Sequence, residues 1–91
     1  MKKKIAILGS TSSIGKSLLG IIKNDKKNFK IELLTANTNY KVLINQAKKF
    51  NVKNIIITDL DSFKKTKAIC KNKKINIFQN FENLKKFYPK R

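Results

Sequence analysis

The sequence of 91 residues predicts an α/β fold, a doubly wound parallel sheet of about four strands that is truncated, and three observations carry that prediction. Short apolar runs at residues 5–8, 31–34, 55–57 and 75–78 recur about every 20 to 26 residues. The first three lack the apolar/polar alternation of a strand with one wet face, so they read as strands buried on both sides of a parallel sheet. The segments between the runs carry apolar residues at helical spacing, and strict β-α alternation with right-handed crossovers leaves an open Rossmann-like sheet. In such a sheet ligands sit beyond the carboxyl ends of the strands, and a glycine- and serine-rich segment follows directly after the first run here.

The elements follow in order. After the first strand, Ile14, Leu18, Ile21 and Ile22 keep helical spacing, with Ser12 or Ser13 as N-cap and Asn24 and Asp25 near the end. Leu43, Ile44, Ala47 and Phe50 form the apolar stripe of a second helix, and Asn51 stands where it can end. Asp59, Asp61 and Ser62 offer cap and first-turn oxygens to a lysine-rich third helix whose apolar positions, Phe63, Ile69 and Cys70, make a thin stripe. Phe81, Leu84, Phe87 and Tyr88 suggest one more short helix before Pro89. No closing signal follows, so residues 1–91 read as one incomplete amino-terminal domain. There is no internal repeat and no disordered linker.

Composition narrows the setting. A single cysteine, Cys70, forbids an internal disulfide and favours a reducing compartment. The basic start is followed by an apolar run that stops at Gly9, too short for a signal-peptide core or a membrane span, so a cytoplasmic protein is expected. A net charge of +17 raises nucleic acid as a partner. Against that, Lys, Asn and Ile make up about half the chain, and one arginine accompanies 21 lysines spread along its whole length. A phosphate or base reader tends to cluster arginine forks, so drift in composition explains the charge better and nucleic acid is not the expected partner.

Residues 9–15, Gly-Ser-Thr-Ser-Ser-Ile-Gly, are the strongest local signal. Gly9 lets the strand turn sharply, and Gly15 lets the helix pack close to the sheet. The hydroxyls and amides of Ser10, Thr11, Ser12 and Ser13 can donate to a pyrophosphate at the helix amino terminus. The plain alternative is a capped helix after a tight turn that binds nothing. Residues 10–17 also end in the Gly-Lys-Ser of a P-loop, and Asn54 to Asp59 resembles a strand ending in a magnesium-holding aspartate. A P-loop, however, needs four residues between its glycines, whereas Gly9 and Gly15 enclose five. A nucleotide-triphosphate-binding protein and a basic nucleic-acid-binding module are the two alternatives to a dinucleotide site.

A second signal lies at the end of the second strand, where dinucleotide folds read the adenosine ribose. NAD sites usually present Asp or Glu there. This chain has Ala36, Asn37, Thr38 and Asn39 followed by Lys41, with no carboxylate between Glu32 and Asp59. Donor side chains and a cation suit a 2'-phosphate, which favours NADPH over NADH. An ordinary polar turn into a helix capped by Asn37 or Asn39 is the alternative.

Beyond these local patterns, KKKIAILGSTSSIGKSLLGIIK resembles the opening of 1-deoxy-D-xylulose 5-phosphate reductoisomerases, whose loop typically reads GSTGSIG, and NFKIELLTANTNYKVLINQAKKFNVKNIIITD continues the likeness without a gap. The likeness is close over about the first 60 residues and looser beyond. It implies that Thr11, Ser12, Ser13 and Ile14 line the pyrophosphate of NADPH and that Asn37, Thr38 and Asn39 face its ribose phosphate. Two positions depart from the family pattern. Ser12 stands at its middle glycine, where a side chain narrows the space for a pyrophosphate or demands another backbone angle. Asn37 and Thr38 stand where it usually has Gly followed by Lys or a similar residue, which leaves Lys41 as a substitute cation. The family converts 1-deoxy-D-xylulose 5-phosphate to 2-C-methyl-D-erythritol 4-phosphate with NADPH and a divalent metal, Mg or Mn, in non-mevalonate isoprenoid biosynthesis. The resemblance further implies a phosphosugar substrate and a homodimer for the parent enzyme, with no membrane partner. With no histidine and five scattered acids, this chain offers no metal ligands and no catalytic residues of its own, so alone it is expected to be inactive.

Overall fold

The computed structural model describes residues 3–80. In them the chain alternates strictly: β1 (Lys3–Ile7), α1 (Ser13–Lys23), β2 (Phe29–Ala36), α2 (Tyr40–Phe50), β3 (Asn54–Ile57), α3 (Leu60–Ile69) and β4 (Asn76–Phe78). The short helix expected from Phe81, Leu84, Phe87 and Tyr88 lies outside the described residues.

All three strand pairs are parallel, and the order across the sheet is β1-β2-β3-β4. This is the expected Rossmann-like doubly wound pattern, truncated to one wing. Because each right-handed crossover steps the same way, the three helices fall on one face. There Leu19 and Ile22 of α1 join Leu43 and Ala47 of α2, with Phe63 of α3 packed beside them, over Ile7, Ile31, Leu34, Ile55 and Ile57. Ile31 and Leu34 share this face despite their odd spacing because the register slips. Ile5 pairs with Ile31 but Ala6 pairs with Leu33, so Glu32 is an extra residue that reverses the alternation beyond it. Leu33 and Ile56 are then buried on the opposite face.

Local chemistry sets the helix ends as the sequence suggested. Ser12 caps α1, with its side-chain oxygen accepting from the Gly15 N–H, and Asp59 caps α3 by accepting from the Ser62 N–H at 3.0 Å. Asn51 closes α2 in the left-handed conformation (φ 56°, ψ 44°), which asparagine tolerates better than most residues.

Three expectations are corrected. β1 is not buried on both sides: Lys3, Lys4 and Ala6 are exposed, because it is the edge strand of the described sheet. On α1 the buried stripe is Gly15, Leu19 and Ile22, whereas Ile14, Leu18 and Ile21 are 76%, 45% and 65% exposed. The apolar face of the helix is wide enough for two stripes, and the close approach of Gly15 to the preceding loop decides which one faces inward. On α3 the buried helical positions are Ser62 and Thr66, while Ile69 faces water. The pair is tolerated because Thr66 donates to the Ser62 carbonyl at 2.7 Å and Ser62 donates to Asp59 Oδ2 at 2.8 Å.

Candidate functional site

At the carboxyl end of β1 the chain turns through Gly9 at φ 67°, a left-handed angle that favours glycine. Neighbouring β2 anchors the turn. The Gly9 N–H donates to Thr35 Oγ1 at 2.8 Å, and the Ser10 N–H donates to the Thr35 carbonyl at 2.9 Å. Ser10 is fully buried. Its hydroxyl donates to Gln46 Oε1 at 2.8 Å, and Gln46 Nε2 donates back to the Ser10 carbonyl at 2.9 Å. The Ser10 hydroxyl, offered by the sequence as a ligand donor, is therefore consumed in tying the loop to α2. Thr35 and Gln46 escaped the reading of the sequence. A threonine inside the apolar second strand was the visible hint for one, but nothing local pointed to Gln46, which lies 36 residues from its partner.

Ser12, although exposed, also spends its side chain on the loop. Its Oγ donates to the Gly9 carbonyl at 2.7 Å and accepts from the Gly15 N–H at 3.1 Å, while its own N–H donates to the Gly9 carbonyl at 3.0 Å. Its backbone is extended (φ −74°, ψ 168°), so this position does not demand glycine on grounds of backbone angle. Gly15 is different, for a Cβ there would collide with the Gly9 carbonyl oxygen and stand 2.6 Å from the Ser10 Cα.

With these groups spent on the loop itself, the amides of Thr11, Ser13 and Ile14 and the hydroxyls of Thr11 and Ser13 have no hydrogen-bond partner among the described residues. The Ser13 and Ile14 N–H groups open an 11-residue helix and the Thr11 N–H stands just before it, and with the helix dipole behind them they suit an anion. No acidic side chain stands in the first turn of α1 to repel one.

The second patch sits beside it, since β2 lies next to β1 and its carboxyl end leads into Asn37, Thr38 and Asn39, all exposed. The backbone here is fixed by β3 and α3. Thr58 N–H donates to the Ala36 carbonyl at 3.1 Å, Asp59 N–H to the Asn37 carbonyl at 3.2 Å, and Thr58 Oγ1 to Asn37 Oδ1 at 2.8 Å. Asn39 occupies the N-cap position of α2, yet its side chain makes no cap hydrogen bond. The amide groups of Asn37 and Asn39 thus retain donors facing water, and an ordinary asparagine cap does not account for this turn.

Lys16 lines a cleft between α1 and α2 together with Leu19 and Gln46. Among the described residues no group of three or more His, Cys, Asp or Glu is gathered that could hold a metal, and no helix is long and apolar enough to cross a membrane.

The loop and its continuation recur in known proteins. The family model described as 1-deoxy-D-xylulose 5-phosphate reductoisomerase matches residues 5–89. This chain belongs to that reductoisomerase family. A reductoisomerase from Pelagibacter ubique is 63% identical over 86 residues, which is 94% of this chain and 22% of that relative. Among solved structures, the reductoisomerase from Zymomonas mobilis in complex with NADPH superposes with a TM-score of 0.83 at 28% identity, covering 94% of this chain and 23% of that one. A reductoisomerase in complex with NADPH, fosmidomycin and magnesium gives 0.81 at 27% identity, over 90% and 20% of the two chains. The chain therefore spans about one fifth of the reductoisomerases it matches. It corresponds to part of an oxidoreductase family, and this membership displaces the P-loop and nucleic-acid readings.

Proposed function

We propose that residues 1–91 are the amino-terminal NADPH-binding portion of a 1-deoxy-D-xylulose 5-phosphate reductoisomerase, incomplete without the rest of the enzyme. The observation that carries this reading is the set of unpartnered amides of Thr11, Ser13 and Ile14 at the head of α1. These would hold the pyrophosphate, with the Thr11 and Ser13 hydroxyls adding donors and Ser12 shaping the loop from within. Asn37, Thr38 and Asn39 would face the adenosine ribose phosphate, with Lys41 supplying the positive charge that a 2'-phosphate needs. The bound cofactor supplies a hydride in the parent enzyme, while the residues of this chain bind and orient it.

The parent reaction takes 1-deoxy-D-xylulose 5-phosphate to 2-C-methyl-D-erythritol 4-phosphate. Its divalent metal ligands and phosphosugar site would belong to segments outside this chain, which alone is expected to be inactive, and the parent would be a homodimer. Solved relatives described with NADPH and magnesium support the cofactor set for the parent. One free, buried thiol, Cys70, suits a reducing, cytoplasmic setting.

The test is a fluorescence titration of the 91-residue chain with NADPH and with NADH. Saturable NADPH binding at least about tenfold tighter than NADH is expected, a difference of about 1.4 kcal/mol. Asn39→Asp, which sets a carboxylate against the 2'-phosphate, should erase the preference. No saturable signal with either nucleotide, from a chain shown to be folded, would sink the reading.

A further inference from the structure

The end of the molecule away from the Gly9 loop has a second feature that cofactor binding does not use. Helices α1 and α2 finish at the same corner, and each carries lysine in its last turn, Lys23 on one and Lys48 and Lys49 on the other. Singly, a cation at a helix carboxyl terminus is explained by the helix dipole. Here the convergence of two helices crowds the cations. Lys49 is held below the usual lysine value, chiefly by the charge of Lys23 beside it, with Lys26 adding to the effect. Among the described residues no carboxylate comes within ion-pair distance of these lysines, although Asp25 stands between Lys23 and Lys26 in the sequence. The ion pair formed among the described residues is Lys4 with Glu32, and Asp25 is engaged with the Asn28 side chain at 2.8 Å.

The same corner is concave. A cleft of about 490 Å3 is lined by Lys26, Phe29, Lys30, Lys49 and Phe50, and the cleft between α1 and α2, about 300 Å3, shares Lys49 and Phe50, adds Lys23 and runs on to Lys16 and Gln46. Lys26 Nζ stands 5.9 Å from the Phe50 ring centre, so an aromatic face lies within reach of the charges. Like charges held together cost stability, and an arriving anion recovers that cost.

We propose that this corner binds a diphosphate group, with Lys23 and Lys49 meeting its oxygens and Lys26 and Lys30 closing the rim. Inorganic pyrophosphate and a nucleoside diphosphate share that chemistry, and Phe50 separates them because only the nucleotide brings a ring to stack.

The test uses the whole 91-residue chain, 15N-labelled, titrated with pyrophosphate and separately with ADP at physiological salt. Saturable amide shifts centred on Lys23, Lys26 and the Lys49 to Asn51 turn are expected, distinct from any at Gly9 to Ile14. Lys23→Gln and Lys49→Gln should each weaken binding about tenfold and, by removing repulsion, raise the melting temperature of the unliganded chain. Lys64→Gln on α3 makes the same charge change at an exposed site and should leave binding unaltered. Tighter binding of ADP with shifts at the Phe50 ring assigns a nucleotide, and equal binding assigns the free diphosphate. Shifts spread evenly over the lysines, shifts confined to the Gly9 loop, or equal losses in Lys64→Gln and Lys49→Gln overturn the proposal.

Discussion

Ser10 and Gln46 grip each other twice, hydroxyl to side-chain oxygen at 2.8 Å and side-chain nitrogen to backbone carbonyl at 2.9 Å. This clamp holds the loop after β1 against α2. Ser10→Ala leaves Gln46 Oε1 without its donor in a partly buried place and should cost about 1 kcal/mol. Gln46→Ala removes both bonds and should cost more. In both variants NADPH binding should weaken further than the stability loss alone explains, because the amides of Thr11 to Ile14 lose their fixed aim. Chemical denaturation paired with NADPH titration checks this, and unchanged affinity in a destabilised but folded Gln46→Ala would refute it.

The two glycines of α1 should respond in opposite directions to alanine. Gly15→Ala drives a methyl into the backbone of Gly9 and Ser10, and a clash with backbone cannot relax cheaply, so a loss of about 1–3 kcal/mol is expected. A Cβ on Gly20 meets nothing within 4 Å, so Gly20→Ala should add about 0.5–1 kcal/mol through helix propensity. Thermal melts of the two variants decide it.

Asp59 supplies an acid limb to stability. Hydrogen bonds from the Ser62 backbone N–H and hydroxyl hold its carboxyl below the ordinary value of 3.8, although burial works the other way. A depressed folded value favours the folded state fully at pH above 3.8, and this contribution is lost as pH falls through the folded value. The melting temperature of the wild-type chain should therefore fall on acidification more steeply than that of Asp59→Asn. Parallel acid limbs in the two would count against the cap.

Cys70 is 4% exposed, and burial pushes its thiol above the ordinary value. It should react with a thiol reagent at neutral pH only as fast as the fold opens. The rate should rise in Gly15→Ala and fall in Gly20→Ala. Immediate modification of the native chain would show that the end of α3 is not packed as described.

Ile14, Leu18 and Ile21 expose an apolar stripe on a molecule of net charge +17. Charge repulsion opposes self-association at low salt, and screening removes that barrier. Sedimentation velocity should show association growing with salt, and Leu18→Lys with Ile21→Lys should abolish it. Association that weakens with salt would point to charge rather than apolar contact.

Much of this molecule was legible in the sequence. The four strands, three helices and parallel topology follow from run length and spacing, because hydrophobic periodicity is a local property of the chain, whereas the exposure of β1 was not readable. The helix caps and the Gly9 turn were readable for the same reason. Asn37, Thr38 and Asn39 could be located but not characterised, since only the structure shows that the Asn39 side chain is left out of the cap it stands in.

Tertiary structure alone decided the rest. Two apolar stripes run along α1, one beginning at Ile14 and the other at Gly15, and their hydrophobicity cannot choose between them. The choice is made where Gly15 meets the backbone of Gly9 and Ser10. It likewise took the fold to spend the Ser10 hydroxyl on Gln46 of α2 and leave the amides of Thr11, Ser13 and Ile14 open. The physical reason is that pattern along a chain sets which elements form, whereas contacts between distant residues set which groups remain free to bind.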